Sequence, residues 1–255
     1  MKWQVPKIWS GDCWIIGGGS SISEQFNIPD DLIPESPEEF KSFGDYMHLI
    51  HKYRVIGVNI AAFLGDWVDV AYWGDSDTYT EYRHQFDSYA GLKVSSAGKF
   101  SDGSFKTIKY LHRDNSRGIT KSKTHVSWVS RNSGGSAVNL AYHLGATRIF
   151  ILGLDMYSSK EGRVHWHTGY PDKSKTLNIS QIKKGKKQPR GVITKERSDF
   201  LYKKQSVGWK RTANDAKKLG IEIINVNPKS NIDAFPKMSL VEVLQLKLGG
   251  SDEEI

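Results

Sequence analysis

Small residues follow an apolar run near the start of the chain, where the sequence reads WIIGGGSS over residues 14–21. Glycine lets a backbone approach a ligand closely, and amides at the start of a helix can bind a phosphate. Gly18, Gly19, Ser20 and Ser21 are therefore candidates for binding a nucleotide. The stretch matches neither GxGxxG nor GxxxxGK[ST], so it predicts neither an NAD site nor a P-loop. The alternative is a tight turn that binds nothing.

Two later turns have a similar character. Asn59, at the end of GVN, could hydrogen-bond a base or a ribose, or it could cap the helix that follows. The stretch NSGGSAVNLA, over residues 132–141, places small donor groups before an apolar helix, which makes Ser133 and Gly134 candidates for anion binding. Because ligands of open α/β sheets bind beyond the carboxyl ends of the strands, we expect these turns to line one crevice.

Carboxylates follow another apolar run, in the sequence WGDSD over residues 73–77. Asp75 and Asp77 resemble the DxD arrangement with which nucleotide-sugar transferases hold a divalent metal on a diphosphate. Hard oxygen ligands suit Mg²⁺ or Mn²⁺, so a metal site is one hypothesis. Asp-Ser-Asp is also common in turns that bind nothing.

Histidines and an aspartate follow the apolar run FILGLD. Asp155 ends this run, and His165 and His167 stand in HWH shortly after it. With no further Cys or His nearby, a structural zinc site is not expected. One histidine could act as a general base that deprotonates an acceptor hydroxyl, or both could be solvated in a polar loop.

The elements that must position these residues are short apolar runs alternating with helical segments, which is typical of parallel strands with crossover helices. The sequence predicts an α/β fold with a mostly parallel sheet, helices on both faces, and one domain over residues 1–255. We expect strands at 13–16, 68–73, 92–95, 107–112, 147–155 and 221–225, and a strand running into a short helix at 55–64. We expect helices at 36–51, 134–146 (closed by Gly145), 200–219 and 239–246. The polar stretch 112–124 is interpreted as a mobile loop, and 157–199 as a basic lid.

Composition narrows the class of protein. The chain has 255 residues, one cysteine (Cys13), and 36 Lys and Arg against 28 Asp and Glu, a net charge of +8. The single cysteine excludes an internal disulfide framework. No apolar run approaches the roughly 20 residues of a membrane span, and no leader is evident, so we expect a cytoplasmic protein without a span. The positive charge suggests an anionic partner and is concentrated in residues 173–211.

Taken in order, WIIGGGSS, GVN, WGDSD and NSGGSAVNLAYHLGATRIFILGLDMY resemble the bacterial sialyltransferases, which have a modified Rossmann-like GT-A fold. They also resemble the related motility-accessory-factor and hydroxymethylpterin pyrophosphokinase-like proteins. The resemblance implies that His165 or His167 takes the place of a catalytic histidine in the lid, and that Asp155 lies beside the base or ribose. It further implies nucleotide contacts by Gly18, Gly19, Ser20, Ser21, Asn59, Ser133 and Gly134.

The leading hypothesis is a transferase that moves a sugar from a nucleotide-sugar donor to a hydroxyl acceptor, with a histidine as general base. The base of the donor is not identified. One alternative is Mg²⁺-dependent transfer of pyrophosphate to a small hydroxymethyl compound, for which Asp75 and Asp77 would be indispensable. Another is a protein that binds nucleic acid or glycosylates DNA through its basic surface. In that case KKGKKQPR, at 183–190, would follow phosphates, and Phe200, Tyr202 and Trp209 would stack on bases.

Overall fold

The computed structural model describes residues 2–157, 165–168 and 195–246, with the backbone alone for 195–201. The described strands are Asp12–Ile16 (β1), Arg54–Val58 (β2), Val70–Trp73 (β3), Leu92–Ser95 (β4), Ile108–Tyr110 (β5), His112–Asp114 (β6), His125–Ser127 (β7), Arg148–Leu152 (β8) and Glu222–Asn225 (β9). The α-helices are Ser21–Gln25 (α1), Phe40–Asp45 (α2), Ser76–Glu81 (α3), Arg83–Ser88 (α4), Ser133–Leu144 (α5), Lys195–Leu219 (α6) and Leu240–Gln245 (α7).

Seven of these strands form one sheet in the order β5-β4-β3-β2-β1-β8-β9, and each described pairing in it is parallel. From β1 the chain proceeds outward through β2 to β5, and it then returns to place β8 on the other side of β1. The strand order therefore reverses between β1 and β8. This arrangement confirms the predicted α/β, Rossmann-like fold class. Strands β6 and β7 pair with each other in a separate two-stranded parallel sheet.

Two apolar clusters cover the two faces of the sheet, as expected for buried parallel strands. Successive residues of a strand point to opposite faces, so Trp14 and Ile16 of β1 belong to one cluster, and Cys13 and Ile15 belong to the other. Helices α2, α4 and α7 contribute to the first cluster, and α5 and α6 contribute to the second. Helix α5 ends at Gly145, whose φ of 116° places it in the left-handed region that suits a helix C-cap, as predicted.

Three local predictions were wrong. The helix expected at 36–51 is divided into the 3-10 turn Pro37–Glu39, helix α2 and the 3-10 turn His48–Ile50. Within α2, a Cβ atom on Gly44 would overlap the carbonyl of Leu64, so a tertiary contact sets the position of the backbone there. The strand expected at 107–112 is divided into β5 and β6, because the chain leaves the main sheet after residue 110 and pairs with β7.

The third wrong prediction is the mobile loop expected at residues 112–124. This segment contains β6, and the amides of Gly118 and Ile119 donate to the Asp215 carboxylate on α6 at 2.8 and 3.1 Å. Beyond them, buried Asn139 of α5 accepts hydrogen bonds from the amides of Thr120 and Ser127 at 3.0 and 2.9 Å. Its Nδ2 donates to the Thr120 carbonyl at 3.1 Å. The buried side-chain amide of Asn139 thus holds this segment against α5. The polar composition of residues 112–124, from which a mobile loop was predicted, does not reveal this contact.

Replacing Asn139 with leucine should reduce the free energy of unfolding by about 3 kcal/mol or more. The Thr120 amide, the Thr120 carbonyl and the Ser127 amide would lose their partners, and each buried polar group left unsatisfied costs about 1–3 kcal/mol. Urea denaturation measures the change. Asn115→Leu, at an exposed position of the same segment, is the matched control and should stay within about 0.5 kcal/mol of the parent chain. Equal losses in the two variants would contradict the assignment.

Candidate functional site

A cleft opens where β1, β2, β3 and β8 end, beside the reversal of strand order. This is where ligands of open α/β sheets bind. It collects residues that are far apart in sequence, from the turns after these strands, the start of α5, the HWH segment and α6. The lining residues are Gly17, Gly18, Gly19, Val58, Asn59, Ile60, Asp75, Arg131, Asn132, Ser133, Gly134, Gly153, Leu154, Asp155, Met156, Tyr157, His165, Tyr202 and Gln205.

The glycines of GGGSS have identifiable neighbours. A Cβ atom on Gly17 would overlap the carbonyl of Gly153, and one on Gly19 would overlap the carboxylate of Asp155. A Cβ atom on Gly18 would lie 3.0 Å from Nδ1 of His165. Gly17 and Gly19 are therefore required by protein contacts around the cleft. Gly18 and Gly19 line the cleft.

Asp155 fastens the loop after β8 to the start of α1. Its carboxylate accepts from the Ser21 amide at 2.9 Å, from the Ser21 hydroxyl at 2.5 Å and from Nδ2 of Asn227 at 2.9 Å. Burial raises the pKa of Asp155, and the hydrogen bonds from Ser21 and Asn227 oppose that rise. With these contacts already made, the geometry favours a structural role for this carboxylate over a direct chemical one.

Ser20 and Ser21 are buried and are not among the residues that line the cleft. The Ser21 hydroxyl is engaged by Asp155, and helix α1 has only five residues. The predicted phosphate contacts of these two serines are therefore not supported by their positions. Asn227, which completes the Asp155 cluster from the segment after β9, was missed by sequence reasoning because it belongs to no recognisable motif.

The HWH segment is held against the glycine loop by its tryptophan. The Trp166 amide donates to the Gly18 carbonyl at 3.0 Å, and its indole Nε1 donates to the Gly17 carbonyl at 3.2 Å. The ring is fully buried and stacks on Phe43 of α2 at a centroid distance of 5.0 Å. Trp166 is thus the anchor of this segment. The sequence gives no sign of this role, because a single apolar residue between two histidines matches no known motif.

The two histidines have different environments. His165 lines the cleft, and its Nδ1 lies 3.2 Å from the Gly18 carbonyl. A carbonyl can only accept, so this contact requires a proton on Nδ1 and leaves the lone pair of the neutral ring on Nε2. Burial lowers the pKa of His165, and the contact with Gly18 opposes that effect.

His167 does not line the cleft. It is 2% exposed and packs against the rings of Trp166 and Phe40, at centroid distances of 4.7 and 5.6 Å. Burial, with a smaller effect from His165, lowers the pKa of His167 to about 3. Burial lowers the pKa of both rings, so the choice between them rests on position, and His165 is the better candidate for proton transfer because it lines the cleft.

Of the two predicted metal ligands, Asp75 lines the cleft and Asp77 lies exposed in the first turn of α3. Desolvation raises the pKa of Asp75 and nearby Asp77 adds to the rise, whereas Arg113 and Arg131 oppose it. Within the described ranges, no three His, Cys, Asp or Glu side chains gather into a set that could hold a metal ion. A cation in the cleft would be coordinated by Asp75 and by oxygen atoms of a molecule bound beside it.

The start of α5 and the end of β2 supply the remaining predicted residues. Ser133 and Gly134 line the cleft, although Asn132 Oδ1 already accepts from the amides of Gly134 and Gly135 at 3.0 and 3.3 Å. Asn59 caps no helix through its side chain. It has a left-handed φ of 57°, and its buried Oδ1 has no hydrogen-bond partner among the described residues. Strain and an unsatisfied acceptor at one cleft residue are features of ligand sites.

The lining residues that went unnoticed as site candidates in the sequence include Arg131, Tyr157 and Gln205, whereas Tyr202 was expected to stack on nucleic-acid bases. Arg131, with a φ of 54°, extends the cleft with a cation just before α5, and Tyr157, Tyr202 and Gln205 line its other side. The hypothesis that Trp209 stacks on nucleic-acid bases was wrong. Trp209 is 1% exposed and packs edge-on against Phe235 at 5.8 Å. Residues 183–190, the side chain of Phe200 and most of the predicted lid lie outside the described residues.

The buried state of His167 predicts a pH dependence of stability. The unfolded chain takes up a proton at this ring near pH 6.5, its ordinary pKa, whereas the folded chain resists protonation until about pH 3. The contribution to stability is therefore complete above pH 6.5 and is lost as the pH falls between these values, by about 1.4 kcal/mol per pH unit.

His167→Phe should remove this contribution, so the free energy of unfolding should fall less steeply between pH 6 and pH 4. Urea denaturation at a series of pH values measures the slope. Phe40→Leu, which weakens the same packing without removing a titrating group, should lower stability and keep the parent slope. A parent slope in His167→Phe would mean that the ring is not buried in its neutral form.

No protein-family model and no curated protein matches this sequence. Among solved structures, the MAf glycosyltransferase from Magnetospirillum magneticum AMB-1 superposes with a TM-score of 0.54 at 9% identity, over 98% of this chain and 37% of that one. The sialyltransferase CstII from Campylobacter jejuni, in complex with cytidine-5'-monophosphate, has a TM-score of 0.45 at 13% identity, over 90% of this chain and 85% of that one. The superposition with the MAf glycosyltransferase shows that the two chains share a fold.

Proposed function

We propose that this protein is a glycosyltransferase that moves a sugar from a nucleotide-sugar donor to a hydroxyl acceptor, with His165 as general base. The observation that carries the proposal is the position of His165. The ring is fixed by Trp166 and the Gly18 carbonyl on the wall of a cleft that also contains the unsatisfied Asn59. The fold shared with a glycosyltransferase supports the same reading.

In the proposed reaction, Nε2 of His165 accepts the proton of the acceptor hydroxyl as its oxygen attacks the anomeric carbon of the donor. The bond from that carbon to the phosphate oxygen breaks, and the nucleotide leaves. A hydrogen bond from Nδ1 to the Gly18 carbonyl keeps Nε2 as the basic nitrogen and stabilises the imidazolium that forms. A positioned base of this kind typically contributes about 10²–10⁴ in rate.

The charge that develops on the leaving phosphate requires a cationic or hydrogen-bonding neighbour. Arg131 and Ser133 line the cleft on the side of α5 and are suited to this role. Mg²⁺ or Mn²⁺ would have Asp75 as protein ligand together with phosphate oxygens of the donor. Because only Asp75 of the predicted pair lines the cleft, the residues present favour charge stabilisation by arginine. The same feature weighs against the pyrophosphokinase alternative, which needs both carboxylates.

A thermal-shift series with CMP, UDP, GDP and ADP should identify a nucleotide that stabilises the protein, because a ligand at a hundred times its dissociation constant adds about 2.7 kcal/mol. Asn59→Gly should weaken that binding at least tenfold, since glycine keeps the left-handed backbone and removes the amide. Asn27→Gly is the matched control, because Asn27 is exposed and has a similar φ of 52°. Unchanged binding in Asn59→Gly would exclude Asn59 from the nucleotide site.

His165→Gln should lower kcat by about 10²–10⁴ while the dissociation constant of the nucleotide stays within a factor of three. Product formation from the donor of the identified nucleotide, measured by chromatography, gives kcat. His167→Phe, the neighbouring substitution away from the cleft, should retain most of the activity. Full turnover in His165→Gln would eliminate this residue as the base.

A further inference from the structure

Among the side chains of α6 that the structure describes, six exposed cations lie on the outward side of the helix in three adjacent pairs, with seven residues from one pair to the next. On the opposite side, Gly208, Trp209, Thr212 and Ala216 are buried against the protein. We call the exposed side the cationic crest. Its charged members are Lys203, Lys204, Lys210, Arg211, Lys217 and Lys218.

The spacing arranges these cations in two straight rows. Seven residues make nearly two helical turns and advance about 10 Å, so Lys203, Lys210 and Lys217 follow one another along the helix over about 21 Å. Lys204, Arg211 and Lys218 form a second row, displaced by about 100° around the helix axis. Val207 and Asn214, both exposed, lie between the two rows.

The crest is a surface of uncompensated positive charge. Across the residues that the structure describes, none of the six cations forms an ion pair with a carboxylate. Asp215, the nearest acid in sequence, is occupied by the amides of Gly118 and Ile119. Arg117 lines a surface groove with Arg211 and Lys218, which adds a further cation beside the crest.

We propose that the cationic crest binds double-stranded DNA, with α6 along the major groove and one row of cations directed to each phosphate strand. The major groove of B-form DNA, about 12 Å wide, admits an α-helix. Two rows of cations that flank a central line match the two strands that border the groove. Val207 and Asn214 on that line would face the bases.

Other polyanions match the crest less well. The major groove of duplex RNA is too narrow for side chains to enter. Single strands are bound by exposed aromatic rings that stack on bases. Among the side chains of α6 that the structure describes, none of this kind lies on the crest, because Trp209 is buried and Tyr202 lines the cleft. Binding at a lipid surface relies on apolar side chains that enter the bilayer, and Val207 is the one apolar residue between the rows among the described side chains of α6.

The inference depends on the charge and exposure of α6 and does not require glycosyl transfer. Tyr202 and Gln205 of the same helix line the cleft, so DNA on the crest would lie beside its opening. Binding can be measured without a donor, which separates this proposal from the proposed reaction.

The experiment is fluorescence anisotropy of a labelled DNA duplex of 24 base pairs with the full chain, over a series of salt concentrations. The crest variant carries four substitutions on the cationic crest, Lys210→Gln, Arg211→Gln, Lys217→Gln and Lys218→Gln. The control variant has the same net charge and carries Lys7→Gln, Lys52→Gln, Lys99→Gln and Lys106→Gln at exposed positions elsewhere. Circular dichroism checks that both variants are folded.

We expect the crest variant to bind the DNA duplex at least tenfold more weakly than the parent chain does at low salt. The slope of log K against log[salt] should become shallower by about 2 to 4, since each phosphate contact contributes about 0.9. The control variant should keep the parent affinity within threefold. Equal loss in both variants, no binding by the parent chain, or tighter binding to single strands, duplex RNA or anionic vesicles than to duplex DNA would overturn the proposal.

Discussion

The close approach of two loops is the constraint on which the site depends. The loop after β1 contacts the loop after β8 through hydrogen bonds from the Gly17 amide to the Leu152 carbonyl at 2.8 Å and from the Gly19 amide to the Gly153 carbonyl at 2.7 Å. Side chains at Gly17 or Gly19 would prevent this contact. Asp155 then secures the arrangement by holding Ser21. The turn is thereby fixed with two carbonyls, those of Gly17 and Gly18, available to a third segment.

The carbonyls of Gly17 and Gly18 hold the segment that carries the candidate base, His165. Trp166 donates to both, and its ring stacks on Phe43 of α2, so the apolar core on one face of the sheet holds the HWH segment in place. Alternate residues then have different surroundings. His165 borders the cleft and His167 is buried, which separates a candidate base from a packing residue within three positions. Burial suppresses protonation of both rings.

The sequence predicted the fold class because strands buried on both faces leave a strong apolar pattern, and it predicted the cleft because parallel strands end at one edge. It could not assign Ser21 and Asp155, whose side chains bind each other across 134 residues of sequence. Nor could it choose between His165 and His167, which differ in packing alone. Arg131 and Asn227 were missed because each acquires its role from tertiary contacts, and the cationic crest emerges only when the pairs of α6 are placed on one helix face.

A crystal structure of the protein with its most stabilising nucleotide bound would show whether the cleft is the nucleotide site. We predict that the nucleotide occupies the cleft between β1 and β8, with Asn59 in contact with it and its phosphate directed toward Arg131 and Ser133. His165 should retain its contact with the Gly18 carbonyl and present Nε2 to the cleft. A nucleotide bound elsewhere, or an HWH segment detached from the glycine loop in the complex, would refute the proposed function of the cleft.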